Sequence, residues 1–479
     1  MSKWTRRAFI TSGIVAGGGV VVGIAMRPGN QVKDLAAKLG DDGANLVHTY
    51  VKIDSDNTIT AIIPHSEMGQ GVHTALGQML AEELDADWDQ LKLEEAPAIG
   101  EYAMYAAGRR YLLTGIDFPK LVIPTVDGMM MRVADTLNMQ ITGGSMSVRT
   151  TGILAMRTAG AATRQLLQQA AAEAWDGPVE EIATEKSHLI HAASNRREPY
   201  ASFAADVAEM TPSYTPTFKD PADYKIVGTH KPRRDIPAKV DGSLKFAMDV
   251  QLPNMLYATV VRSPVPGGSV VELDDSVARS VEGVVDVIVI PATTVSSMLG
   301  DTVSAETVAV VADSYWSASK GLKELKVQWS EVGFETVSSD GIFEQFNRDI
   351  SASAERQTDH VQGEASSVFA GAAKVVDADY HVPFLAHTCM EPLNATADVR
   401  TDSAEIWVGC QNPLGFRRDI ADSLGMDPEK VTLHNHSMGG GFGRKARPDW
   451  ALQVAHLARE VGRPVQLIWS REEDVRQDF

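Results

Sequence analysis

Cysteine is scarce in this sequence: two residues, Cys389 and Cys410, among 479. Two thiols are too few for a disulfide framework, and they fall short of the four thiolates that an iron–sulfur cluster requires. Basic residues are also few beside acidic ones, 44 against 63, which gives a net charge of -19. Because nucleic acids are bound through clustered Lys and Arg, this balance excludes a broad nucleic-acid surface.

Long hydrophobic runs are missing as well. The run at residues 14–26 contains several glycines and is short for a spanning helix, which needs roughly 20 apolar residues. It follows Arg6 and Arg7, an arrangement typical of a twin-arginine export signal over residues 1–29. The signal predicts a periplasmic protein that folds around its cofactor before export. An uncleaved signal that tethers the protein to the membrane is the alternative.

The remaining composition is that of a globular protein of about three domains. Apolar periodicity predicts a hairpin at 51–53 and 58–63, helices at 74–84, 154–175, 315–322, 416–424 and 449–461, strands at 255–262, 284–290, 307–312, 325–329 and 405–408, and regular structure at 373–380. Polar stretches without clear periodicity lie at 210–237 and 333–363. These patterns predict an α+β protein with domain boundaries near 220 and 333.

The first segment with chemical content contains Gly69, Gln70 and Gly71, between a predicted strand and the helix that begins near Thr74. Glycines let backbone N–H groups approach a ligand closely, and a helix amino terminus favours anions. A tight turn without a ligand explains this segment equally well.

The second segment places four glycines in the five positions 439–443, before the predicted helix at 449–461. Each glycine costs chain entropy, so a close approach of the backbone to a cofactor is the natural reason for them. The segment is neither a P-loop nor a dinucleotide fingerprint, because the required lysine ending and glycine spacing are absent. A plain glycine-rich turn is the alternative.

Two further segments carry polar side chains. Gln411 follows the predicted strand at 405–408, where its amide either donates to a ligand or satisfies backbone atoms. His387, Cys389 and Glu391 suggest a metal site, but no second His/Cys pair stands at ligand spacing. A protein ligand to a metal is therefore not predicted.

Taken in this order, the segments resemble the molybdenum-pterin subunit of the xanthine oxidase/aldehyde oxidase family, in the branch typified by the beta chain of isoquinoline 1-oxidoreductase. Residues 143–147 are similar to the family's serine-rich phosphate-binding turn, and residues 227–256 resemble the start of its α/β hammerhead domain. In xanthine oxidase the first cofactor segments follow the glycine-rich loop, whereas here they precede it, as in the isoquinoline branch.

The resemblance implies a multidomain α+β fold, that of a molybdenum hydroxylase large subunit with circularly permuted cofactor domains. The signal at 1–29 is followed by the first part of the molybdopterin-binding domain at 30–219, a hammerhead-like domain at 220–332, and the second, incomplete part at 333–479.

The implied cofactor is molybdenum held by molybdopterin, in the cytosine dinucleotide form, so that the pterin and no protein side chain binds the metal. Gln411 would hydrogen-bond an apical ligand of the metal, and Phe442 with Gly443 would lie over the metal and pterin. The residues implied to bind the cofactor are Gly69, Gln70, Gly71, Thr74, Ser145, Gln411, Gly440, Gly441, Phe442, Gly443 and Arg444.

The implied activity is hydroxylation of aldehydes or N-heterocycles, small-molecule substrates, with oxygen derived from water. Purines are not expected, because Ala446 stands where xanthine oxidase has an acidic residue. Electrons would pass to an iron–sulfur subunit with two [2Fe–2S] clusters, and a cytochrome c is a further candidate partner.

One departure from the family concerns catalysis. The general-base glutamate of the family stands in a Gly-x-Gly-Glu segment near the carboxyl end, and these 479 residues lack it. We therefore expect a carboxyl-terminally truncated or split subunit, with no catalytic residue on this chain and an inactive isolated form. The alternative is a non-catalytic fragment that binds a partner or part of the cofactor. A flavin or nicotinamide oxidoreductase is disfavoured, since the dinucleotide fingerprint is absent.

Overall fold

The computed structural model of the protein describes Leu35, Leu113, Ile116 and residues 45–107, 118–143, 145–213, 215–297, 300–352 and 360–478. Helices and strands alternate along these ranges, which confirms the predicted α+β class. The predicted export signal lies outside the described residues. Among the described helices, none is both long and apolar enough to cross a bilayer.

The amino-terminal half is built on a four-stranded sheet in the order β1-β2-β3-β4, with β3 and β4 parallel and the other pairs antiparallel. A three-stranded antiparallel sheet, β5-β6-β7, follows it. The strands are β1 (Asn45–His48), β2 (Val51–Ile53), β3 (Ile59–Ile63), β4 (Lys92–Glu95), β5 (Ile182–Glu185), β6 (His188–His191) and β7 (Arg196–Pro199). The helices are α1 (Val72–Leu84), α2 (Tyr105–Ala107), α3 (Ile123–Thr136), α4 (Arg157–Trp175), which continues a π-helical segment (Ser147–Met156), and α5 (Ala204–Glu209).

The carboxyl-terminal half centres on a seven-stranded sheet in the order β10-β13-β8-β18-β15-β16-β17. Its neighbours are antiparallel except for the parallel pairs β8–β18 and β16–β17. The strands are β8 (Leu256–Arg262), β9 (Val270–Asp274), β10 (Val284–Ile290), β11 (Thr293–Ser297), β12 (Gly300–Ser304), β13 (Thr307–Ala312), β14 (Lys326–Trp329), β15 (Asn394–Val399), β16 (Ala404–Val408), β17 (Val431–Asn435) and β18 (Val465–Ile468). The helices are α6 (Ile236–Val240), α7 (Ser276–Ser280), α8 (Tyr315–Lys323), α9 (Ser339–Ser351), α10 (Ala365–Gly371), α11 (Pro413–Leu424), α12 (Asp449–Val461) and α13 (Arg471–Arg476).

Each half has its own apolar core. In the first, α1 and α4 pack on the four-stranded sheet and on each other. In the second, α11 and α12 cover the seven-stranded sheet, where the rings of Phe416 and Trp450 meet edge to face at 5.4 Å. The loops that carry the predicted cofactor residues lie between these two cores.

Most predicted elements are present. Helix α12 spans the predicted residues, α1 begins two residues earlier than predicted, and the hairpin of β2 and β3 is confirmed. Apolar periodicity predicts these elements correctly because one face of each is buried in a core. The domain boundaries near 220 and 333 stay predictions.

Two segments differ from the prediction. The regular structure predicted at 373–380 is wrong: no helix or strand forms between residues 372 and 393. A strand needs a neighbour to pair with, and this segment pairs with no strand in the described part of the chain. Helix α9 lies in the stretch interpreted as unpatterned, because it buries no residue and its few apolar side chains stand among polar ones.

Gly160 lies where α4 packs closely against α1. A β-carbon there would lie 2.4 Å from the carbonyl oxygen of Leu80. We therefore expect Gly160→Ala to lower the free energy of unfolding by about 1–3 kcal/mol through overpacking. Gly128→Ala in α3 is the matched control, because nothing lies within 4 Å of the added carbon, and it should raise stability by up to about 1 kcal/mol. Urea unfolding monitored by circular dichroism measures both, and equal midpoints would contradict the close packing.

Candidate functional site

Gln411, directly after β16, is the residue on which the predicted cofactor segments converge. Its buried side chain accepts a hydrogen bond at Oε1 from the N–H of Gly443, and its Nε2 donates to the carbonyl of Thr142, both at 2.9 Å. Its backbone N–H donates to the carbonyl of Lys445, and its carbonyl accepts from the N–H of Thr142, both at 2.8 Å. One residue therefore joins the glycine-rich loop, residues 439–443, to the turn that begins at Thr142.

The glycine-rich loop has three consecutive backbone donors between two that are bonded to Glu391 and Gln411. Gly440, Phe442 and Gly443 have positive φ angles of 98°, 53° and 102°. The N–H groups of Gly440, Gly441 and Phe442 donate to no group in the described part of the chain. Successive N–H groups in such a backbone form a concave nest for anions and other acceptors. The Phe442 ring, 69% exposed, stands beside this nest.

Two buried ion pairs hold the ends of the loop. Lys445 Nζ donates to Glu391 Oε2 at 2.8 Å, and the N–H of Gly439 donates to the same oxygen at 2.9 Å. Arg444 and Asp449 form a bidentate pair, with both contacts at 2.9 Å. Buried charges are stable only when paired, so the loop conformation depends on these contacts. The guanidinium of Arg444 is thus turned inward, and its predicted role toward a cofactor stays a prediction.

Glu67 organises the Gly-Gln-Gly turn, residues 66–71. Its Oε1 accepts hydrogen bonds from the N–H groups of Gly69 and Gly71 at 2.9 and 3.0 Å, and from Arg233 Nη2 at 3.1 Å. The amide of Gln70 bonds to backbone groups within the same turn. The N–H groups predicted to cradle a phosphate are therefore directed at a carboxylate of the chain, whose second oxygen is buried without a partner in the described structure.

Thr74 and Ser145, two other predicted ligands, lie on separate elements. Thr74 is in the first turn of α1, where its hydroxyl accepts from the N–H of Arg234 at 3.2 Å. No side chain accepts a hydrogen bond from the N–H groups of the first turn of α1. Ser145 is exposed just beyond the Thr142 turn, and its carbonyl accepts from the N–H of Arg149 at 2.9 Å.

Two histidines beside the Gly-Gln-Gly turn have opposite pKa shifts. His65 contacts the hydroxyls of Thr142 and Thr151 at 3.3 and 2.8 Å, and burial lowers the pKa of its ring to about 3. Burial also acts to lower the pKa of His73, but the Glu95 carboxylate at 3.6 Å outweighs it, and the net shift is upward. His65 is therefore a neutral structural residue at physiological pH.

Within the described ranges, no three His, Cys, Asp or Glu side chains converge as metal ligands. Cys389 and Cys410 are buried free thiols, and burial raises the pKa of both. His387 bonds to Asp478, and Glu391 pairs with Lys445. The side chains of the segment weighed as a metal site thus have separate partners.

Three residues that shape the site were missed at the level of sequence: Glu67, Glu391 and Lys445. Glu67 stands two positions before Gly69, where an acceptor close to a glycine turn was an available signal. Glu391 was considered only as a metal ligand. Nothing in the sequence distinguishes the buried Lys445 from an exposed lysine.

Two regions of the chain match models of known protein families. Two family models described as molybdopterin cofactor-binding domain match residues 2–107 and 347–478, which contain the Gly-Gln-Gly turn and the glycine-rich loop. The protein is therefore of the molybdopterin-binding class. The chain belongs to the molybdopterin-binding subunits of the xanthine oxidase/aldehyde oxidase family, which confirms the resemblance indicated by its motifs.

Three curated relatives illustrate this membership. The beta chain of isoquinoline 1-oxidoreductase from Brevundimonas diminuta is 30% identical over 90% of this chain and 55% of its own length. Membrane-bound aldehyde dehydrogenase [pyrroloquinoline-quinone] of Gluconacetobacter polyoxogenes is 29% identical over 99% and 56%. A nicotinate dehydrogenase subunit from Pseudomonas putida is 26% identical over 89% and 32%. The chain thus spans about half, or less, of the length of these relatives.

Parts of the chain also match proteins whose structures have been solved. Quinoline 2-oxidoreductase from Pseudomonas putida 86 is 25% identical, with a TM-score of 0.39 over 52% of this chain and 35% of that one. The aldehyde oxidoreductase from Desulfovibrio gigas is 19% identical, with a TM-score of 0.40 over 84% and 41%.

The buried pair below the glycine-rich loop is open to test. Lys445→Met leaves the Glu391 carboxylate buried and unpaired, so we expect a loss of about 3–5 kcal/mol of folding free energy. Arg418→Met, which breaks the exposed Arg418–Asp422 pair, should cost less than about 1 kcal/mol. Differential scanning calorimetry compares the stabilities of the two variants. The double variant Lys445→Met/Glu391→Gln should recover much of the loss, because the neutral amide still accepts from Gly439.

The lowered pKa of His65 predicts acid sensitivity. Below about pH 6.5 the unfolded chain binds a proton at this histidine, whereas the folded chain binds it only near the pKa of about 3. Folding free energy is therefore lost as the pH falls through this window, by up to about 1.4 kcal/mol per pH unit. His65→Asn should show a shallower loss in urea unfolding between pH 7 and pH 4. Parallel pH profiles for parent and variant would refute the assignment.

Proposed function

We propose that this chain is the molybdenum-pterin-binding part of an exported oxidoreductase. The complete enzyme hydroxylates aldehydes or N-heterocycles with oxygen from water and passes electrons to an iron–sulfur subunit. The named activities of the isoquinoline, aldehyde and nicotinate relatives support the substrate class. The Arg6-Arg7 signal supports export.

The observation that carries the proposal is the set of donors around Gln411. Three consecutive N–H groups, those of residues 440–442, lack partners in the described chain. The Gln411 amide uses one of its two N–H groups on Thr142 and retains the other. A β-carbon on Gly441 would lie 2.7 Å from Gln411 Oε1, so only glycine lets the loop approach this closely. Together these groups fit the acceptor-rich edge of a pterin and its phosphates.

The roles of the chain's own residues follow from these positions. Gln411 would offer its remaining N–H to the bound cofactor, and the N–H groups of residues 440–442 would hold the pterin. Phe442 would exclude water from the bound group, while the Arg444–Asp449 and Lys445–Glu391 pairs keep the loop in place. The bound molybdopterin supplies the redox centre at which the substrate is oxidised by two electrons.

In this proposal the turn at residues 66–71 lies at the dinucleotide end of the bound cofactor. The uncapped first turn of α1 offers N–H groups to a phosphate, and Thr74 adds a hydroxyl. Since Glu67 occupies the N–H groups of Gly69 and Gly71, these two glycines act by shaping the turn. The cytosine form of the dinucleotide is part of the proposal.

The partner is proposed from the cysteines. Both thiols are buried, Cys389 before the start of β15 and Cys410 just after the end of β16, and two thiols do not hold a cluster. Electrons therefore leave through clusters on another subunit, two [2Fe–2S] centres in this proposal, with a cytochrome c as the onward acceptor.

Elemental analysis and isotope labelling test the function. The protein, purified with its partners from cells that produce it, should contain molybdenum and a fluorescent oxidised pterin. With an N-heterocycle in ¹⁸O-labelled water, the product should gain one ¹⁸O as an added dye is reduced. Absence of molybdenum would contradict the proposed cofactor. A product whose new oxygen comes from dioxygen and not from water would contradict the proposed reaction.

Phe442→Ala tests the site itself. The ring is 69% exposed, so its loss should change the unfolding free energy by no more than about 0.5 kcal/mol. The pterin content should nevertheless fall several-fold, because the cover over the cofactor is gone. Trp316→Ala removes an equally exposed ring on α8 and should leave the pterin content unchanged. Equal pterin contents in the two variants would show that Phe442 does not help to hold the pterin.

The alternative function is a non-catalytic fragment that binds a partner or part of the cofactor. Pterin without turnover in the purified complex would select this alternative.

A further inference from the structure

A cavity of about 410 Å³ lies between the two halves of the chain, and we call it the edge cavity. Residues 95–98 line it from the first half, and Trp407 with residues 433–436 line it from the second. None of these residues is among those proposed to bind the cofactor. Because small-molecule sites enclose about 300–1,000 Å³, the edge cavity has room for one small ligand.

The edge cavity lies where two sheets end. Strand β4 is the last strand of the four-stranded sheet, and β17 is the last strand of the seven-stranded sheet. An edge strand presents N–H and carbonyl groups that no neighbour pairs. The N–H of His436 donates to the carbonyl of Val408, so the alternate residues Leu433 and Asn435 direct their backbone groups to the open edge. These groups have no backbone partner in the described ranges outside the pairing of β16 with β17.

Trp407 and His434 form an aromatic wall of the edge cavity. The two residues stand directly opposite each other in the register of β16 and β17. Their rings are nearly parallel, with centroids 5.0 Å apart and an angle of 16° between the planes. Side chains alternate along a strand, so this wall lies on the opposite face of the sheet from the buried Ile406. A flat ring can therefore stack on the wall.

Glu95 gives the edge cavity a carboxylate that retains acceptor capacity. Its Oε1 accepts from Asn435 Nδ2 at 2.5 Å, whereas its Oε2 lies 3.6 Å from His73 Nε2, beyond hydrogen-bond distance. A second carboxylate, that of Glu405, lies 3.2 Å from His434 Nε2 beside the wall. None of the described residues that line the cavity is Lys or Arg. The electrostatics of the cavity therefore favour a cation.

The walls of the edge cavity are held in place by hydrogen bonds. Arg417 Nη1 donates to the carbonyl of Ala98 at 2.9 Å, and the buried Gln140 donates from Nε2 to the carbonyl of Pro97 at 3.2 Å. The Nδ2 of Asn435 lies 2.8 Å from Ser66 Oγ in the Gly-Gln-Gly turn. The cavity is thus formed before a ligand binds, as small-molecule sites usually are.

We propose that the edge cavity binds a small planar aromatic cation whose charge is carried on N–H groups, the chemistry of an aryl amidinium. The ring stacks on Trp407 and His434, where an indole also attracts the positive charge. The N–H groups donate to the Glu95 carboxylate and to the open carbonyls of β17. The proposal goes beyond the proposed function, because it requires neither the metal nor any residue assigned to the cofactor.

Isothermal titration calorimetry at pH 8, above the ordinary histidine pKa of about 6.5, tests the preference. Benzamidinium, benzamide and benzoate share one shape and differ in charge. Benzamidinium should bind one per chain, benzamide at least tenfold more weakly, and benzoate more weakly still. Absence of benzamidinium binding, or equal affinities for benzamidinium and benzoate, would overturn the proposal. Preparations with and without molybdenum should bind alike, so failure of the proposed function leaves this result standing.

Two variants at neighbouring positions locate the site. Glu95→Gln should weaken benzamidinium binding at least tenfold and leave benzamide binding unchanged, because it removes the charge and retains an acceptor for Asn435. Glu94→Gln is the matched control: it removes the same charge from a carboxylate that is 51% exposed and pairs with Lys52. It should leave both affinities unchanged. Parental affinity for benzamidinium in Glu95→Gln would refute the site.

Photolabelling of the parent protein guards against a misfolded variant. A photoreactive benzamidine should modify peptides that contain residues 95–98 or 433–436, and excess benzamidinium should suppress the modification. Labelling confined to other peptides would place the ligand elsewhere and overturn the proposal.

Discussion

The hydrogen bonds of Gln411 are the constraint on which the site depends. Side chain and backbone of this one residue hold Thr142 on one side and Gly443 with Lys445 on the other. These segments belong to opposite halves of the chain, and each is irregular. Because an unpaired buried amide costs about 1–3 kcal/mol, the two loops are fixed relative to each other only while both sets of contacts persist.

Buried carboxylates serve as acceptors for irregular backbone elsewhere in the site. Glu82 accepts three consecutive N–H groups from residues 225–227, Glu67 accepts two from its own turn, and Glu391 accepts one beside its lysine. Loops lack the ladders that satisfy N–H groups in helices and sheets, and a carboxylate accepts several donors at once. The excess of acidic residues thus includes groups that hold the loops together.

The sequence predicted the elements that bury one face and the loops rich in glycine. Apolar periodicity predicted helices α1 and α12. The entropic cost of glycine indicated that the loop containing Gly440 and Gly443 needs a backbone that only glycine allows. The segment at 373–380 was misjudged because pairing depends on a neighbour that local pattern does not reveal. Glu67 and Lys445 were missed for a related reason: burial of a charge is decided by residues far away in sequence. The role of each cofactor residue stays a prediction.

The parallel pair of β8 and β18 governs when the protein can fold during synthesis. The two strands lie side by side at the centre of the seven-stranded sheet, although roughly 200 residues separate them in sequence. At about 5–20 residues per second, a ribosome needs on the order of 10–40 seconds to supply the second strand after the first. Throughout that interval the nascent chain holds an incomplete sheet with exposed apolar edges. The edge of β8 therefore stays unpaired until β18 emerges.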